Sequence, residues 1–275
     1  MELLKEILQA IVLGLVQGLT EFLPVSSSGH LILFKKLFGL DAETFGLNFD
    51  IAVHVATLLA VFVVFRKTIW NLIRHPFQKT VLWLIIATIP AALVGVFLDD
   101  QVEAVSQSGG FLGICFLFTA GVLLFAEKMS KRAQSNLEME DLTWWKAGAI
   151  GLAQGVAVMP GISRSGSTLS AGLLTGLGTG AALSFSFLMS IPVIGGSLVL
   201  GVKDTLENPE HFNVWVILAG MLAAAASGYV AVRFMLNFIR KKGMKVFAIY
   251  LVVIGVLVLM DQLFFRQFFD VFLLG

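Results

Sequence analysis

Charged residues are scarce in this chain of 275 residues: Asp, Glu, Lys and Arg together make up 13%, against about 25% in soluble domains. Since 57% of the residues are hydrophobic and the mean hydropathy is +0.90, there is too little polar surface to cover a water-soluble globule. The balance of 19 basic and 18 acidic residues argues against a nucleic-acid-binding protein. The one cysteine, Cys115, excludes an intramolecular disulfide and a cysteine-based metal site. An integral membrane protein is the class that remains.

Long apolar runs predict helices that span the membrane, because a span needs about 20 apolar residues. The runs are continuous rather than alternating, which excludes a transmembrane barrel. The N-terminus has neither the basic excess nor the small-residue cleavage site of a signal peptide, so we expect no cleavage there. The six predicted spans are residues 49–65, 81–98, 109–126, 181–202, 213–232 and 246–263.

The charges of the connecting segments predict which side of the membrane each one faces. Residues 66–79 carry four basic and no acidic side chains, and residues 233–245 carry five and none, so both should be cytoplasmic. Residues 99–108 and 203–212 are acid-rich and should face outward. Residues 127–146 are mixed in charge and, by the count of spans, form a cytoplasmic connecting loop.

Two segments, 3–40 and 147–180, do not fit as single spans. Each consists of two short apolar runs separated by a break rich in Pro, Ser and Gly. The breaks are Pro24-Val-Ser-Ser-Ser-Gly-His30 and Pro160-Gly-Ile-Ser-Arg-Ser-Gly-Ser-Thr168. Non-helical backbone persists at membrane depth only where it is buried in protein or faces a wet cavity. Each segment therefore predicts a re-entrant helix hairpin.

The two halves of the chain repeat each other at an offset of 137 residues. Gly14-Leu-Val-Gln17-Gly18 matches Gly151-Leu-Ala-Gln154-Gly155, and the first three spans fall on the last three at the same offset. We predict an all-α integral membrane protein of six transmembrane helices and two re-entrant hairpins. Its first repeat is 1–126, its connecting loop 127–146 and its second repeat 147–275. Three crossings separate the copies, so the repeat is inverted, as in many transporters.

Ionisable side chains cluster at the first break, and such residues inside a membrane are usually functional. Gln17 and Glu21 are four residues apart and share a helix face. Pro24 ends that helix, and the serines can cap the next one, whose N-terminus offers N–H groups to an anion. Glu21, Ser27 and His30 form a set of metal ligand, nucleophile and base. We favour Ser27 as the nucleophile and His30 as its base, with His30 as the alternative nucleophile.

The second break differs from the first in its ionisable residues. Arg164 stands at the position aligned with Ser27, and Val158 stands at the position aligned with Glu21. A guanidinium surrounded by hydroxyls suits a phosphate group, because its planar fork binds two oxygens at once. The further residues predicted to contact the phosphate group are Ser26, Ser28, Gly29, Ser163, Ser165, Gly166 and Thr168.

The two breaks, together with Gln17-x-x-x-Glu21, resemble the two signature motifs of the bacterial undecaprenyl-diphosphatase family, also called the bacitracin-resistance proteins. The resemblance implies hydrolysis of undecaprenyl diphosphate to undecaprenyl phosphate and inorganic phosphate at the outer face of the bacterial inner membrane. That reaction recycles the lipid carrier of peptidoglycan synthesis and confers bacitracin resistance. Carried over by position, Glu21, Ser27, His30 and Arg164 are the expected catalytic residues.

The same resemblance implies a divalent cation, Mg²⁺ or Ca²⁺, as cofactor. Glu21 is its predicted ligand, with Gln17 and Asp50 as further candidates, and the family motif admits either Glu or Gln at the first of its positions. Asp50 and His54 lie four residues apart near the outer end of a span, where they could supply a second carboxylate or orient a ligand.

The expected partners are a polyprenyl diphosphate and membrane lipids, with no nucleic acid; the sequence leaves room for a homodimer. The alternative function is a lipid-phosphate flippase or transporter, which the inverted repeat favours. Catalysis is preferred, because Glu21, Ser27 and His30 occur in one copy of the repeat only.

Overall fold

The computed structural model describes residues 1–40, 44–98, 101–102, 104, 109–133, 135–207 and 213–269, with backbone alone at 201–207 and 240. Its regular elements are helices, as predicted for an all-α integral membrane protein. They are α1 (Glu2–Phe22), α2 (Ser27–Phe38), α3 (Leu47–Val64), α4 (Arg66–Arg74), α5 (Lys79–Phe97), α6 (Leu112–Ala133), α7 (Trp144–Val156), α8 (Arg164–Leu174), α9 (Thr179–Glu207), α10 (Val214–Lys242) and α11 (Lys245–Met260), with a 3₁₀ turn at Met139–Asp141 and a π-helical turn at Asp261–Phe265.

Seven helices among the described residues are long and apolar enough to cross a membrane, one more than the six spans predicted. The additional one is α1, which the sequence analysis took as a run too short to cross. That expectation was wrong, because nothing breaks the helix between Glu2 and Pro24. Its 21 residues extend over roughly 32 Å at 1.5 Å per residue, which matches the apolar thickness of a bilayer.

Glycines allow α1 to lie directly against α10. A Cβ atom at Gly14 would overlap the carbonyl oxygen of Gly220, and one at Gly18 would overlap that of Ala224. Small residues of this kind let helix backbones approach closely where lipid removes the usual hydrophobic driving force. Because both contacts advance along the two helices together, α1 and α10 run parallel and begin at the same end of the bundle.

The first hairpin returns to the end from which it started. After the turn at Leu23–Ser26, α2 leads back, and Lys35 near its end pairs with Asp50 in the first turn of α3 at 2.7 Å. Phe34 packs on the same side against a buried cluster that includes Phe45 and Phe49. The turn itself is buried in protein, since Val25 is 2% exposed and Ser26 3%.

The second hairpin enters from the opposite end of the bundle. Its first helix, α7, runs parallel to α5, since Gly151 lies against Ala87 and Gly155 against Pro90. Its second helix, α8, returns to the beginning of α9, where Gly172 lies against Ala182. The two hairpins thus approach each other from opposite sides, each packed on a helix from the other half of the chain.

One end of the bundle is basic, and we call it the basic end. Helix α3 ends here, α4 follows with none of its residues buried, and α10 is followed by α11 after a short turn. The sequence analysis treated 66–79 and 233–245 as loops, but α4 and the last turns of α10 are helical. In α10 no residue interrupts the helix before Gly243, whose φ of +72° ends it. The basic residues therefore predicted correctly that these segments lie at one end of the bundle, but they did not predict where the helices end.

The acid-rich segments predicted to face outward fall largely outside the described residues. This applies to 99–100, 103 and 105–108 in the first segment and to 208–212 in the second. The predicted connecting loop, 127–146, contains the last turns of α6, the 3₁₀ turn and an isolated bridge between Leu137 and Leu177.

Candidate active site

The turn of the first hairpin presents Ser27 to Glu21. Ser26 precedes α2 with φ +70° and ψ +99°, and its hydroxyl accepts a hydrogen bond from the backbone N–H of Gly29 at 3.3 Å. This geometry places Ser27 as the first residue of α2, where its hydroxyl donates to Oε2 of Glu21 at 2.5 Å. A hydroxyl and a carboxylate, six residues apart in sequence, are thereby brought into direct contact.

Glu21 is the centre of the polar cluster and is 6% exposed. Gln17 donates from Nε2 to Glu21 Oε2 at 2.9 Å, and the guanidinium of Arg164 donates to the other carboxylate oxygen. His54 Nε2 lies 3.6 Å from Glu21 Oε2. A buried carboxylate is tolerated only when charge and hydrogen bonds compensate its lost hydration, and here both are present.

The turn of the second hairpin supplies the cation. Ser163 caps α8 by accepting from the backbone N–H of Gly166 at 3.0 Å, so Arg164 begins that helix. Ser165 donates from its hydroxyl to the carbonyl oxygen of Leu23 at 2.9 Å, which ties the two turns together. The N-termini of two half-length helices thus converge, and such termini favour anions.

A cavity of about 540 Å³ adjoins this cluster. At one end it is lined by Glu21, His54, Gln154, Arg164 and the serines at 26–28, 163 and 165; beyond them lie apolar and small residues of α5 and α9. Those residues come from the second half of each helix. Since α5 and α9 both begin at the basic end, the cavity extends away from that end.

The structure brings four residues named in the sequence analysis, Gln17, Glu21, Ser27 and Arg164, into one hydrogen-bonded cluster. Gln17 is not among the described residues that line the cavity, whereas the other three line it together with Ser26, Ser28, Ser163 and Ser165. Three predicted contacts to a diphosphate do not line it. The backbone N–H groups of Gly29 and Gly166 are bound by the capping serines, and the hydroxyl of Thr168 bonds Ser186 at 2.6 Å in the α8–α9 interface.

His30 is not among the described residues that line the cavity. It is 2% exposed, and both ring nitrogens are engaged elsewhere. Nδ1 lies 2.7 Å from the carbonyl oxygen of Ser26, and Nε2 lies 2.7 Å from the hydroxyl of Tyr250 on α11. The imidazole that faces the cavity is that of His54, whose Nδ1 is 2.7 Å from the carbonyl oxygen of Asp50.

The donors at the cluster fit a divalent cation in part. Gln17 Oε1 is buried and makes no hydrogen bond, while the nitrogen of the same amide contacts Glu21 at 2.9 Å, so a free oxygen ligand belongs to the side chain that adjoins the carboxylate. Asp50 does not contribute, because it is not among the described residues that line the cavity and its carboxylate pairs with Lys35 at 2.7 Å. No group of three or more His, Cys, Asp or Glu occurs in the part of the chain that the structure describes. Glu21 and Gln17 therefore suit a cation that takes its other ligands from phosphate and water, as Mg²⁺ commonly does.

Sequence reasoning missed two residues of this region. Gln154 lines the cavity, and its equivalence to Gln17 at the offset of 137 was a signal that could have identified it. Tyr250 contacts His30 from 220 residues away, and no local pattern marks it.

Comparison with known proteins identifies a family that matches nearly the whole chain. Residues 10–257 match the family model described as bacitracin resistance protein BacA. The chain is 44% identical over 257 residues to an undecaprenyl-diphosphatase of Carboxydothermus hydrogenoformans, covering 92% of this chain and 97% of the relative. It is 41% identical to undecaprenyl-diphosphatase 3 of Bacillus cereus, covering 96% and 99%. It is 38% identical to an undecaprenyl-diphosphatase of Methanobrevibacter smithii, covering 94% and 98%.

The resemblance seen in the two signature motifs is thereby confirmed over nearly the whole chain. Seven apolar helices in the part of the chain that the structure describes make the protein a multi-pass membrane protein. The chain belongs to the bacitracin resistance protein BacA family.

Proposed function

We propose that the protein is an undecaprenyl-diphosphatase, which hydrolyses undecaprenyl diphosphate to undecaprenyl phosphate and inorganic phosphate. One observation carries the proposal: the Ser27 hydroxyl is bonded to Glu21, which also binds Arg164, and these groups lie with two helix N-termini at the polar end of a largely apolar cavity. Phosphoryl transfer depends mainly on positioning and on neutralising the charge of the phosphate oxygens. Relatives with this activity in their names cover 92–96% of the chain.

Binding of the diphosphate is assigned to Arg164 and to the N-termini of α2 and α8. The guanidinium has five N–H donors, and its bond to Glu21 leaves others for phosphate oxygens. The hydroxyls at 26, 28, 163 and 165 face the same cavity. The polyprenyl tail would lie along the apolar walls that α5 and α9 contribute.

The attacking group is the hydroxyl of Ser27. Its proton passes to Glu21, which already accepts the hydrogen bond at 2.5 Å. The bond from Ser27 Oγ to the terminal phosphorus forms as the bridging P–O bond breaks, and undecaprenyl phosphate leaves. Water then hydrolyses the phosphoserine and releases inorganic phosphate. The sequence favoured His30 as the base; the contacts favour Glu21, because both nitrogens of His30 are engaged elsewhere.

Glu21 and Gln17 Oε1 are the residues we assign to a divalent cation, Mg²⁺ or Ca²⁺. When bound, such a cation neutralises charge on the phosphate oxygens. Asp50 is not assigned to it, since Lys35 binds both its oxygens.

The orientation we propose places the basic end in the cytoplasm of a bacterial cell and the cavity toward the exterior. The positive-inside rule supports this, because Arg66, Lys67 and Arg74 on α4 carry no acidic counterpart there. The cavity extends toward the opposite end of the bundle. A membrane-bound lipid carrier released outside the cell would reach the cluster from that side of the inner membrane.

The two halves, 1–126 and 147–275, are proposed to be inverted repeats joined by 127–146. Support comes from the helix starts at Ser27 and Arg164, 137 residues apart, and from hairpins that enter from opposite ends. Such an arrangement occurs in transporters, but the acid and the nucleophile belong to one copy only. Val158 lines the cavity where the second copy would need a carboxylate, which favours catalysis over lipid flipping.

Phosphate release from polyprenyl diphosphates by the purified protein in detergent tests this function. Micelles have no sides, so turnover there is catalysis and not transport. We expect Ser27→Ala and Arg164→Ala to lose activity, with Ser135→Ala at the exposed surface as the matched control. Full activity of Ser27→Ala would remove the hydroxyl from the mechanism and leave His30 or water as the attacking group.

A further inference from the structure

The buried imidazole of His30 connects the first hairpin to the last long helix. Its ring stacks on that of Tyr250 with centroids 5.6 Å apart and an interplanar angle of 13°. The ring of Phe116 on α6 also packs against it, with the two ring centroids 5.4 Å apart and the planes tilted by 52°. The ring is thus held in place by aromatic groups from α6 and α11 while its two nitrogens make hydrogen bonds.

These hydrogen bonds determine where the ring carries its proton. The carbonyl oxygen of Ser26 can only accept, so His30 Nδ1, at 2.7 Å from it, must be the donor. In the neutral ring Nε2 is then an acceptor, and the hydroxyl of Tyr250 at 2.7 Å donates to it. A hydrogen bond made by one ring nitrogen commonly fixes the role of the other in this way.

The acceptor of the imidazole proton belongs to a strained residue. Ser26 has φ +70°, a left-handed conformation that a residue with a side chain adopts at a cost. Its carbonyl oxygen accepts from His30 Nδ1 and from the backbone N–H of His30 at 3.1 Å. Ser26 is joined directly to Ser27, so the orientation of this peptide sets the direction in which the Ser27 hydroxyl points.

We infer that Tyr250 is a positioning residue for the phosphatase site and acts through His30. Its hydroxyl holds the imidazole in the orientation and tautomer that bind the Ser26 carbonyl, and the strained turn then directs Ser27 toward Glu21. The inference rests on the proposed function. It assigns to α11, which is not among the described helices that line the cavity, a role in aligning the nucleophile.

Binding of the diphosphate and alignment of the Ser27 hydroxyl should affect different kinetic constants. The diphosphate is held by Arg164 and the two helix N-termini, and Tyr250 is not among the described residues that line the cavity where it binds. Removing the hydroxyl therefore leaves KM near its original value and lowers kcat. A tyrosine with a merely structural role would alter the amount of folded protein and leave the kcat of the folded fraction unchanged.

The chain contains two tyrosines, which provides a matched pair of variants. Tyr250→Phe removes the hydroxyl that contacts His30, and Tyr229→Phe removes one on α10 that lies beside Arg233. In the phosphate-release assay in detergent, we expect Tyr250→Phe to lower kcat about tenfold, which is about 1.4 kcal/mol in barrier, with KM changed less than twofold. Tyr229→Phe should retain both constants.

A second measurement tests the route through His30. His30→Gln and the double variant His30→Gln/Tyr250→Phe should have the same kcat, because the tyrosine has no imidazole to hold in either. Unchanged kcat in Tyr250→Phe, an equal loss in Tyr229→Phe, or losses that multiply in the double variant would each overturn the inference. If Tyr250→Phe yields no folded protein, Tyr250→His is compared with wild type instead. The same result is then expected, namely a lower kcat with KM changed less than twofold. Failure of the proposed function is distinguishable, since wild type itself would then release no phosphate.

Discussion

Replacement of Arg164 by lysine tests the central assignment of the site. The Arg164 side chain is 16% exposed, bonds Glu21 and lines the cavity. Lysine keeps the positive charge and can still pair with the carboxylate. It replaces a rigid planar fork by a compact ammonium on a flexible stem, so it cannot hold two phosphate oxygens in fixed positions.

The magnitude follows from the number of hydrogen bonds lost. A hydrogen bond to a charged group contributes about 1.5–3 kcal/mol. If the lysine variant loses one such bond to the phosphate in the transition state, kcat/KM should fall roughly 10- to 150-fold. Ground-state pairing with Glu21 survives, so the folded protein should be recovered in normal amounts.

The assay is metal-dependent phosphate release in detergent, with Arg233→Lys as the control. Arg233 lies on α10 over the ring of Tyr229, exposed and away from the cavity, and its replacement should leave kcat/KM unchanged. Turnover of Arg164→Lys within twofold of wild type would refute the reasoning, because Arg164 would then contribute charge alone or only cover an interface.

Three further predictions follow from the orientation, the nucleophile and the helix packing. In a cysteine-free background, a membrane-impermeant thiol reagent added outside cells should label Leu98→Cys and not Trp70→Cys; the reverse pattern contradicts the proposed orientation. Rapid acid quench of the wild-type reaction should trap a phosphoserine that is absent from Ser27→Ala, whereas a label that survives only alkaline quench would indicate phosphohistidine. Gly18→Val should lower the free energy of unfolding by about 1–3 kcal/mol through overlap with α10, as measured by thermal unfolding in detergent. Gly121→Ala should leave the stability unchanged, because a Cβ atom there would meet no atom within 4 Å.

Local chemistry made the two turns predictable. Pro24 and Pro160 interrupt apolar runs, and the serines and glycines after them are typical of helix starts. The structure begins α2 at Ser27 and α8 at Arg164. Glu21, four residues after Gln17, was placed on the correct helix face for the same reason: the periodicity of a helix is a short-range property.

Contacts between distant segments were not predictable in this way. His30 was assigned to the cluster because it lies one helical turn after Ser27. Its ring nitrogens instead bind the carbonyl oxygen of Ser26 and the hydroxyl of Tyr250, a residue 220 positions away that no local pattern reveals. His54 reaches Glu21 from 33 residues away. The length of α1 was misjudged: the apolar run before Pro24 was taken as too short to cross, whereas α1 is one continuous helix of 21 residues.

The exchange of partners between the two halves has a consequence for how the protein is made. Glu21 is synthesised 143 residues before Arg164, and α1 is complete long before α10 exists to receive it. At 5–20 residues per second, the ribosome needs roughly 7–30 s to supply the arginine. Throughout that interval an ionised Glu21 lacks the guanidinium of Arg164, and the hydrogen bonds from Gln17 and Ser27 do not neutralise its charge in hydrocarbon. We therefore expect the first hairpin to wait at the membrane surface or within the insertion machinery, and to enter the bundle last although it is translated first.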